Sequence, residues 1–195
     1  MSNKFLFFLI FILSSFTYIL FGGIDNIERK SFESFYSSDR DIDYYENLNI
    51  RLDSLLKLNS NTPSQMNLLA SRLLVDGNYD QASKVFDFYI STYPKIADTN
   101  VYSSYAESIY LADDMNFNDQ ITSLVNESLY LDPSNYKALT LKGLNLYKEK
   151  KFNEALKNWA IALDSVETED QKKSLIVVMN SALKKLEINK NKSTN

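Results

Sequence analysis

The stretch Leu131–Leu163, LDPSNYKALTLKGLNLYKEKKFNEALKNWAIAL, constrains the fold more than any other part of this chain. An Asp-Pro turn opens it. An amphipathic segment with Gly143 in its middle follows, then a polar break at Lys148–Lys151, then a second amphipathic segment carrying Ala155, Trp159 and Ala162. Apolar residues returning every three or four positions make each segment a helix with one stripe to bury. Two such helices can approach closely only where side chains are small. Gly143 and Ala155 are therefore expected at the contact, with Leu139, Leu146 and Trp159 filling the space around it. The same alternation appears upstream as Ala70, Leu73, Gly77, Tyr79, Ala82, Phe86 and Pro94, counted from Pro63. A looser copy runs from Thr99 to Pro133: Tyr102, Ala106 and Ile109, then Ile121, Val125 and Ser128 after an insertion near Asp113–Asn116.

A helix hairpin of about 34 residues with this order of small and large positions is the tetratricopeptide (TPR) pattern. The copies stay in register once the insertion and the extra Ala97-Asp98 are counted. The fold class expected is all-α: a TPR-like solenoid of three repeats (63–96, 99–133 and 136–167) closed by a capping helix at 169–187, together forming a domain over 63–187. Ile42–Leu58 carries Tyr45, Leu48, Leu52, Leu55 and Leu56 at helical spacing, so 42–62 is expected to hold a leading helix packed on the first repeat. Residues 188–195, polar from Lys190 onward, are expected to be a disordered tail.

Helix starts are written in the residues. Thr62-Pro63-Ser64-Gln65 and Thr168-Glu169-Asp170-Gln171 have the form of capping boxes. Asn116 is the expected cap of the second helix in the second repeat, and Ser134 or Asn135 that of the third repeat. Gly77-Asn78 marks a turn, and Tyr93-Pro94 ends the first repeat.

The N-terminus is different. Phe5–Phe21 is apolar apart from Ser14, Ser15, Thr17 and the Tyr18 hydroxyl, and Gly22-Gly23-Ile24 bring it to the roughly 20 residues that span a bilayer. A cleaved signal peptide would have a shorter apolar run and a small-x-small site, and no Ala-x-Ala is present. An uncleaved single-pass anchor over 1–24 is the expectation, followed by a polar linker at 25–41. Lys4 precedes the span and no Lys or Arg follows before Arg29, which places the N-terminus in the cytoplasm and the remainder outside.

Composition narrows the function. The chain of 195 residues has neither Cys nor His and only four Gly. Thiol chemistry, imidazole acid–base catalysis, Cys or His metal ligation and a glycine-rich phosphate cradle are all excluded. No nucleophile–base set remains, so an enzyme is not expected, and neither is a cofactor. A net charge of −4 without a long basic run speaks against nucleic acid. Asp113-Asp114 with Asp119 lacks the Gly and Glu of a calcium loop and is expected to be a solvated turn, so no metal site is expected. Trp159 has two readings, a ligand anchor or the interior of its hairpin; its position in the repeat favours the interior.

The candidate site is a peptide-binding groove on the first helix of each repeat. It is expected to use Asn67, Ser71, Leu74 and Val75 from the first repeat, Ser103, Glu107, Tyr110 and Leu111 from the second, and Lys137, Thr140, Leu144, Tyr147 and Lys148 from the third. One edge is polar and the other apolar, which suits an amphipathic helix laid in a groove. Leu74, Val75 and Leu111 could equally pack between repeats. Asn67 and Ser71 stand where a carboxylate clamp would need Lys and Asn.

Several motifs occur in one order: Tyr105-Ala106-Glu107-Ser108, the inserted turn after Ala112, Leu131-Asp132-Pro133, Asn135-Tyr136-Lys137-Ala138-Leu139, Gly143, and Ala155 with Asn158-Trp159. The order resembles the periplasmic domain of the membrane-anchored TPR proteins of cytochrome c maturation, of the CcmI, CycH and NrfG types. Tyr18-Ile19-Leu20-Phe21-Gly22 is similar to the exit of that family's membrane helix, and the likeness runs over roughly residues 18–166. It implies a single-pass protein of the bacterial inner membrane with its TPR domain in the periplasm. Its implied partners are the C-terminal helix of an apocytochrome c, presented for haem attachment, and other subunits of the haem-ligation complex. The longer members have two spans with a cytoplasmic loop between them; this chain has one, so that loop's roles do not carry over. A general cell-envelope scaffold with an unrelated protein partner is the alternative.

Overall fold

In the computed structural model, which describes residues 42–57, 61–166 and 168–193, every regular element is an α-helix. The helices are α1 (Ile42–Leu56), α2 (Pro63–Val75), α3 (Tyr79–Thr92), α4 (Thr99–Ala112), α5 (Asp119–Leu131), α6 (Tyr136–Lys148), α7 (Phe152–Asp164) and α8 (Glu169–Ser193). The expected anchor at 1–24 and linker at 25–41 lie outside the described residues. Among the described residues no helix is long and apolar enough to cross a membrane.

The chain divides into two units, Met1–Ser60 and Asn61–Asn195. In the first, α1 buries Leu48, Leu52 and Leu55 along one stripe, while Ile50 is exposed. The second unit holds α2–α8. Its most extensive contacts join α2 to α3, α4 to α5 and α6 to α7, so successive helices form hairpins. The first helices also meet across hairpins, α2 with α4 and α4 with α6.

Local chemistry explains where α2, α4, α5, α6 and α8 begin. Thr62 accepts from the Gln65 backbone N–H at 3.3 Å while the Gln65 side chain accepts from Thr62 N–H at 3.0 Å, completing the reciprocal cap. Thr168 and Gln171 repeat the arrangement at α8. Asp98 caps α4 through Val101 N–H, and Asn135 caps α6 through Ala138 N–H. The expected cap at Asn116 is corrected: α5 starts at Asp119 and its cap is Asn118, which accepts from Ile121 N–H at 2.9 Å. The insertion pushes the helix start past Asn116, and Asn118 holds the extended backbone a cap requires.

The first helix of each hairpin ends in the same way. The N–H two residues beyond the C-cap returns to a carbonyl in the last turn: Asn78 to Leu73, Met115 to Tyr110 and Lys151 to Leu146, each at 2.8 Å. This ending needs a left-handed residue. Gly77 supplies it in the first hairpin at φ +81°, whereas Asp114 (φ 46°) and Lys150 (φ 63°) take the strained conformation in the other two.

Two apolar clusters sit inside the second unit. One gathers Ala106, Tyr110, Ile121, Val125, Ala138 and Leu141 between the second and third hairpins. The other gathers Leu139, Phe152, Ala155, Trp159 and Ala162 with Leu175 and Ala182 of α8. Trp159 is fully buried, and its Nε1 donates to the Thr140 carbonyl at 3.2 Å. A methyl group on Gly143 would stand 2.2 Å from that Nε1. Gly143 therefore opens the space that the indole occupies, a closer relation than the Gly143–Ala155 contact expected from spacing.

α8 lies on α7 and covers the end of the array, as the apolar face there requires. It runs past the expected end at residue 187, as far as Ser193. Leu183 is 47% exposed.

Candidate functional site

The face built from α2, α4 and α6 begins with residues that water reaches freely. On α2, Asn67 and Ser71 are exposed, Leu74 is half-buried and Val75 is 86% exposed. On α4, Glu107 and Leu111 are half-buried. On α6, Lys137, Thr140, Leu144 and Tyr147 are half-buried and Lys148 is exposed.

Two expected lining residues are corrected. Ser103 has no exposed surface, and its hydroxyl turns back to the Asn100 carbonyl at 3.2 Å. Tyr110 is 7% exposed and stacks on Phe117 with ring centroids 4.6 Å apart. Both were placed by repeat position alone. The inserted turn brings Phe117 across the Tyr110 ring. Leu111 and Leu144 partly follow them, since both pack on the cluster between the second and third hairpins.

The charged members of the face are each engaged. Lys137 Nζ pairs with Glu107 Oε2 at 2.7 Å and donates to Ser104 Oγ at 3.1 Å, joining α4 to α6. Lys148 lies over the rings of Tyr110 and Phe117 at 5.8 and 5.6 Å and donates to the Met115 carbonyl. Lys148 thus fastens the inserted turn to the third hairpin. Tyr147 exchanges a hydroxyl hydrogen bond with Ser181 of α8 at 2.8 Å, meets the Phe152 ring edge to face and lies tilted against Trp159. Burial raises the Tyr110 phenol, and burial together with the Glu107 charge raises that of Tyr136.

The sequence reading missed Ser104 and a polar hollow of about 350 Å³ at the edge where the first helices begin. Thr99, Asn100, Asp132, Asn135, Tyr136 and Lys137 line it, among others. Asn135 donates to Asn100 across it at 3.1 Å. The Ser134 hydroxyl and backbone N–H hold the Asp132 carboxyl below its ordinary range. Repeat arithmetic could have located this hollow. Thr99-Asn100 and Tyr136-Lys137 open successive first helices, and helices stacked side by side bring their starts together. Among the described residues no group of acidic, His or Cys side chains is placed to hold a metal.

No family model matches the chain, and no curated protein matches it. Solved structures do. Yeast Tom70 aligns with 73% of this chain at 17% identity and a TM-score of 0.58. The TPR2AB domain of yeast Sti1, solved in complex with pHSP90, aligns with 80% at 17% identity and a TM-score of 0.49. A Vibrio parahaemolyticus protein given the name YfrE aligns with 45% at 25% identity and a TM-score of 0.38. The chain spans 30% of the Tom70 structure, 63% of the Sti1 structure and 96% of the YfrE structure. The fold rests on the Tom70 match together with the hairpins described above: over its described residues the chain has an all-helical, TPR-like fold.

Proposed function

We propose that this chain is a protein-binding scaffold whose α2–α4–α6 face receives an amphipathic helix, and that its client is the C-terminal helix of an apocytochrome c. The observation that carries the binding face is the graded exposure along it. Val75 stands almost fully in solvent beside exposed Asn67 and Ser71, while the Glu107–Lys137 pair and Lys148 order the rest. An apolar side chain left in water next to fixed polar groups is the composition of a helix-receiving groove. The client comes from the sequence motifs, Tyr105-Ala106-Glu107-Ser108 through Trp159, that resemble the cytochrome c maturation proteins. In this proposal residues 1–24 hold the protein in the bacterial inner membrane, and the helical hairpins stand in the periplasm beside the haem-ligation subunits. The client helix is unfolded before haem arrives and packed into the cytochrome afterwards, so release follows haem attachment without chemistry in this protein.

The test is titration of an apocytochrome C-terminal peptide, and of whole apo- and holocytochrome, against the full chain and its Val75→Asp and Lys148→Glu variants. Apocytochrome should bind more tightly than holocytochrome, and Val75→Asp should weaken binding without changing the melt. Equal affinity for both cytochromes removes the client and leaves a general cell-envelope scaffold. Peptide binding that ignores both substitutions removes the face.

A further inference from the structure

α8 carries two seams, and the fold uses one. Leu175, Met179, Ala182 and Leu186 follow at steps of four, three and four and pack on the Trp159 cluster. On a different side, Lys173, Ile176, Asn180, Leu183 and Glu187 follow at steps of three and four, and the same steps reach Glu169 before them and Lys190 after. Ile176 is 41% and Leu183 47% exposed, and the polar members are exposed too. Ile176 and Leu183, its two apolar members, stand one heptad apart with Asn180 between them, which puts all three on one line along which a second helix can pack.

We infer that this outer seam pairs with the same seam of a second copy of the chain, antiparallel and centred on Asn180. Charge picks the occupant and the direction. In the antiparallel register Ile176 meets Leu183 of the second copy, Lys173 meets Glu187, Glu169 meets Lys190, and Asn180 meets itself. Every layer is then apolar on apolar, opposite charge on opposite charge, or amide on amide. A parallel pair would set Lys173 against Lys173 and Glu187 against Glu187, which is repulsive in both of those layers. Asn180 at the centre weakens the pairing and fixes the register, since any slip would leave an amide facing an apolar or charged side chain. A seam on one helix makes a small interface, so the pairing is reversible and depends on concentration. This pairing stands apart from the peptide-binding face, which uses α2, α4 and α6.

The chain has no cysteine, so one introduced thiol can form a disulfide only between copies. In the full chain, Asn180→Cys should give a covalent dimer under mild oxidation about tenfold or more faster than Lys157→Cys, an exposed position off the seam, because pairing raises the effective thiol concentration. Adding Glu187→Lys to Asn180→Cys should slow cross-linking to the Lys157→Cys rate, and adding Lys173→Glu as well should restore it. All these positions are exposed, so circular dichroism and melting should match the parent and separate loss of pairing from loss of fold. An Asn180→Cys rate no faster than Lys157→Cys, or one indifferent to the Glu187 and Lys173 exchange, overturns the inference.

Discussion

In the α6–α7 hairpin the helices meet through an indole laid on a glycine; in the α4–α5 hairpin smaller apolar contacts among Ala106, Tyr110, Ile121 and Val125 are joined by hydrogen bonds at one end. Gly143 leaves the gap, Trp159 fills it, and Leu139, Phe152 and Ala155 close the sides. In the neighbouring hairpin, Ser128 Oγ donates to the Thr99 carbonyl at 2.9 Å and Thr99 Oγ1 donates to the Ser128 carbonyl at 3.0 Å. Ser103, Ser104, Ser108 and Ser128 are all buried there. The two hairpins run the same path because hairpin geometry asks only that the interior be filled and every buried polar group satisfied. Among the described residues no buried side-chain polar atom lacks a partner. The two interiors should therefore fail differently: one by losing volume, the other by losing a partner.

The largest effect is expected at Trp159. Trp159→Ala should destabilise the chain by roughly 3–5 kcal/mol, the range for emptying an aromatic site in a core. That is a large share of the roughly 5–15 kcal/mol a domain has. Hydrogen exchange should rise together in α6, α7 and α8, whose side chains share the Trp159 cluster. Denaturant unfolding of the variant that coincides with wild type would show that the indole is not what holds this hairpin.

Ser128→Ala should cost less, about 1 kcal/mol, the net value of one hydrogen bond. The methyl group nearly keeps the volume, and Thr99 keeps the Ser128 carbonyl as its acceptor. Denaturation midpoints for the two variants, compared side by side, test the contrast. A Ser128→Ala loss as large as that of Trp159→Ala would mean the polar hairpin is the more fragile of the two.

In the third hairpin the indole–glycine contact was legible in the sequence; in the second the interior positions Ala106, Ile121, Val125 and Ser128 were legible and the hydrogen bonds were not, for a physical reason. Gly, Ala and Trp at fixed spacing have few other uses in a helix pair, so Gly143, Ala155 and Trp159 announce their contact. Serines are ordinary surface residues, and nothing in their spacing says that Ser103 is sealed or that Ser128 reaches back to Thr99. The inserted turn compounds this. It moved the α5 cap from Asn116 to Asn118 and laid Phe117 on Tyr110, which removed Tyr110 from the candidate face. Helix spacing alone accounts for the exposure of Asn67 and Ser71. It failed at Ser103 and Tyr110, where a neighbouring element decides. The outer seam of α8 was hidden because Leu183 looks like any core leucine until α7 is known to lie on the other side.

The smallest effect is that of the proton held on Tyr105, which appears only at high pH. Its hydroxyl donates to Asp87 of α3 at 3.0 Å and accepts from Gln120 of α5 at 2.9 Å, so the polar hairpin is tied to the first one through this phenol. Burial, and then the Asp87 carboxylate beside it, push the phenol from 10.0 to about 12. The folded state thus holds the proton more tightly than the unfolded chain does. That preference contributes in full below about pH 10, where both states are protonated. As pH rises through the interval toward about 12, the unfolded chain gives up the proton first, and stability falls. Melting temperature followed from neutral to alkaline pH should be flat below about 10 and then decline. Tyr105→Phe should start lower, because Asp87 and Gln120 lose their partner, but should decline less steeply because one raised phenol is gone. Tyr89, Tyr110 and Tyr136 are raised too and leave part of the slope in place. If Tyr105→Phe shows the wild-type slope, the phenol titrates as it would in water, and the hydrogen-bonded link between the first and second hairpins is not closed in solution.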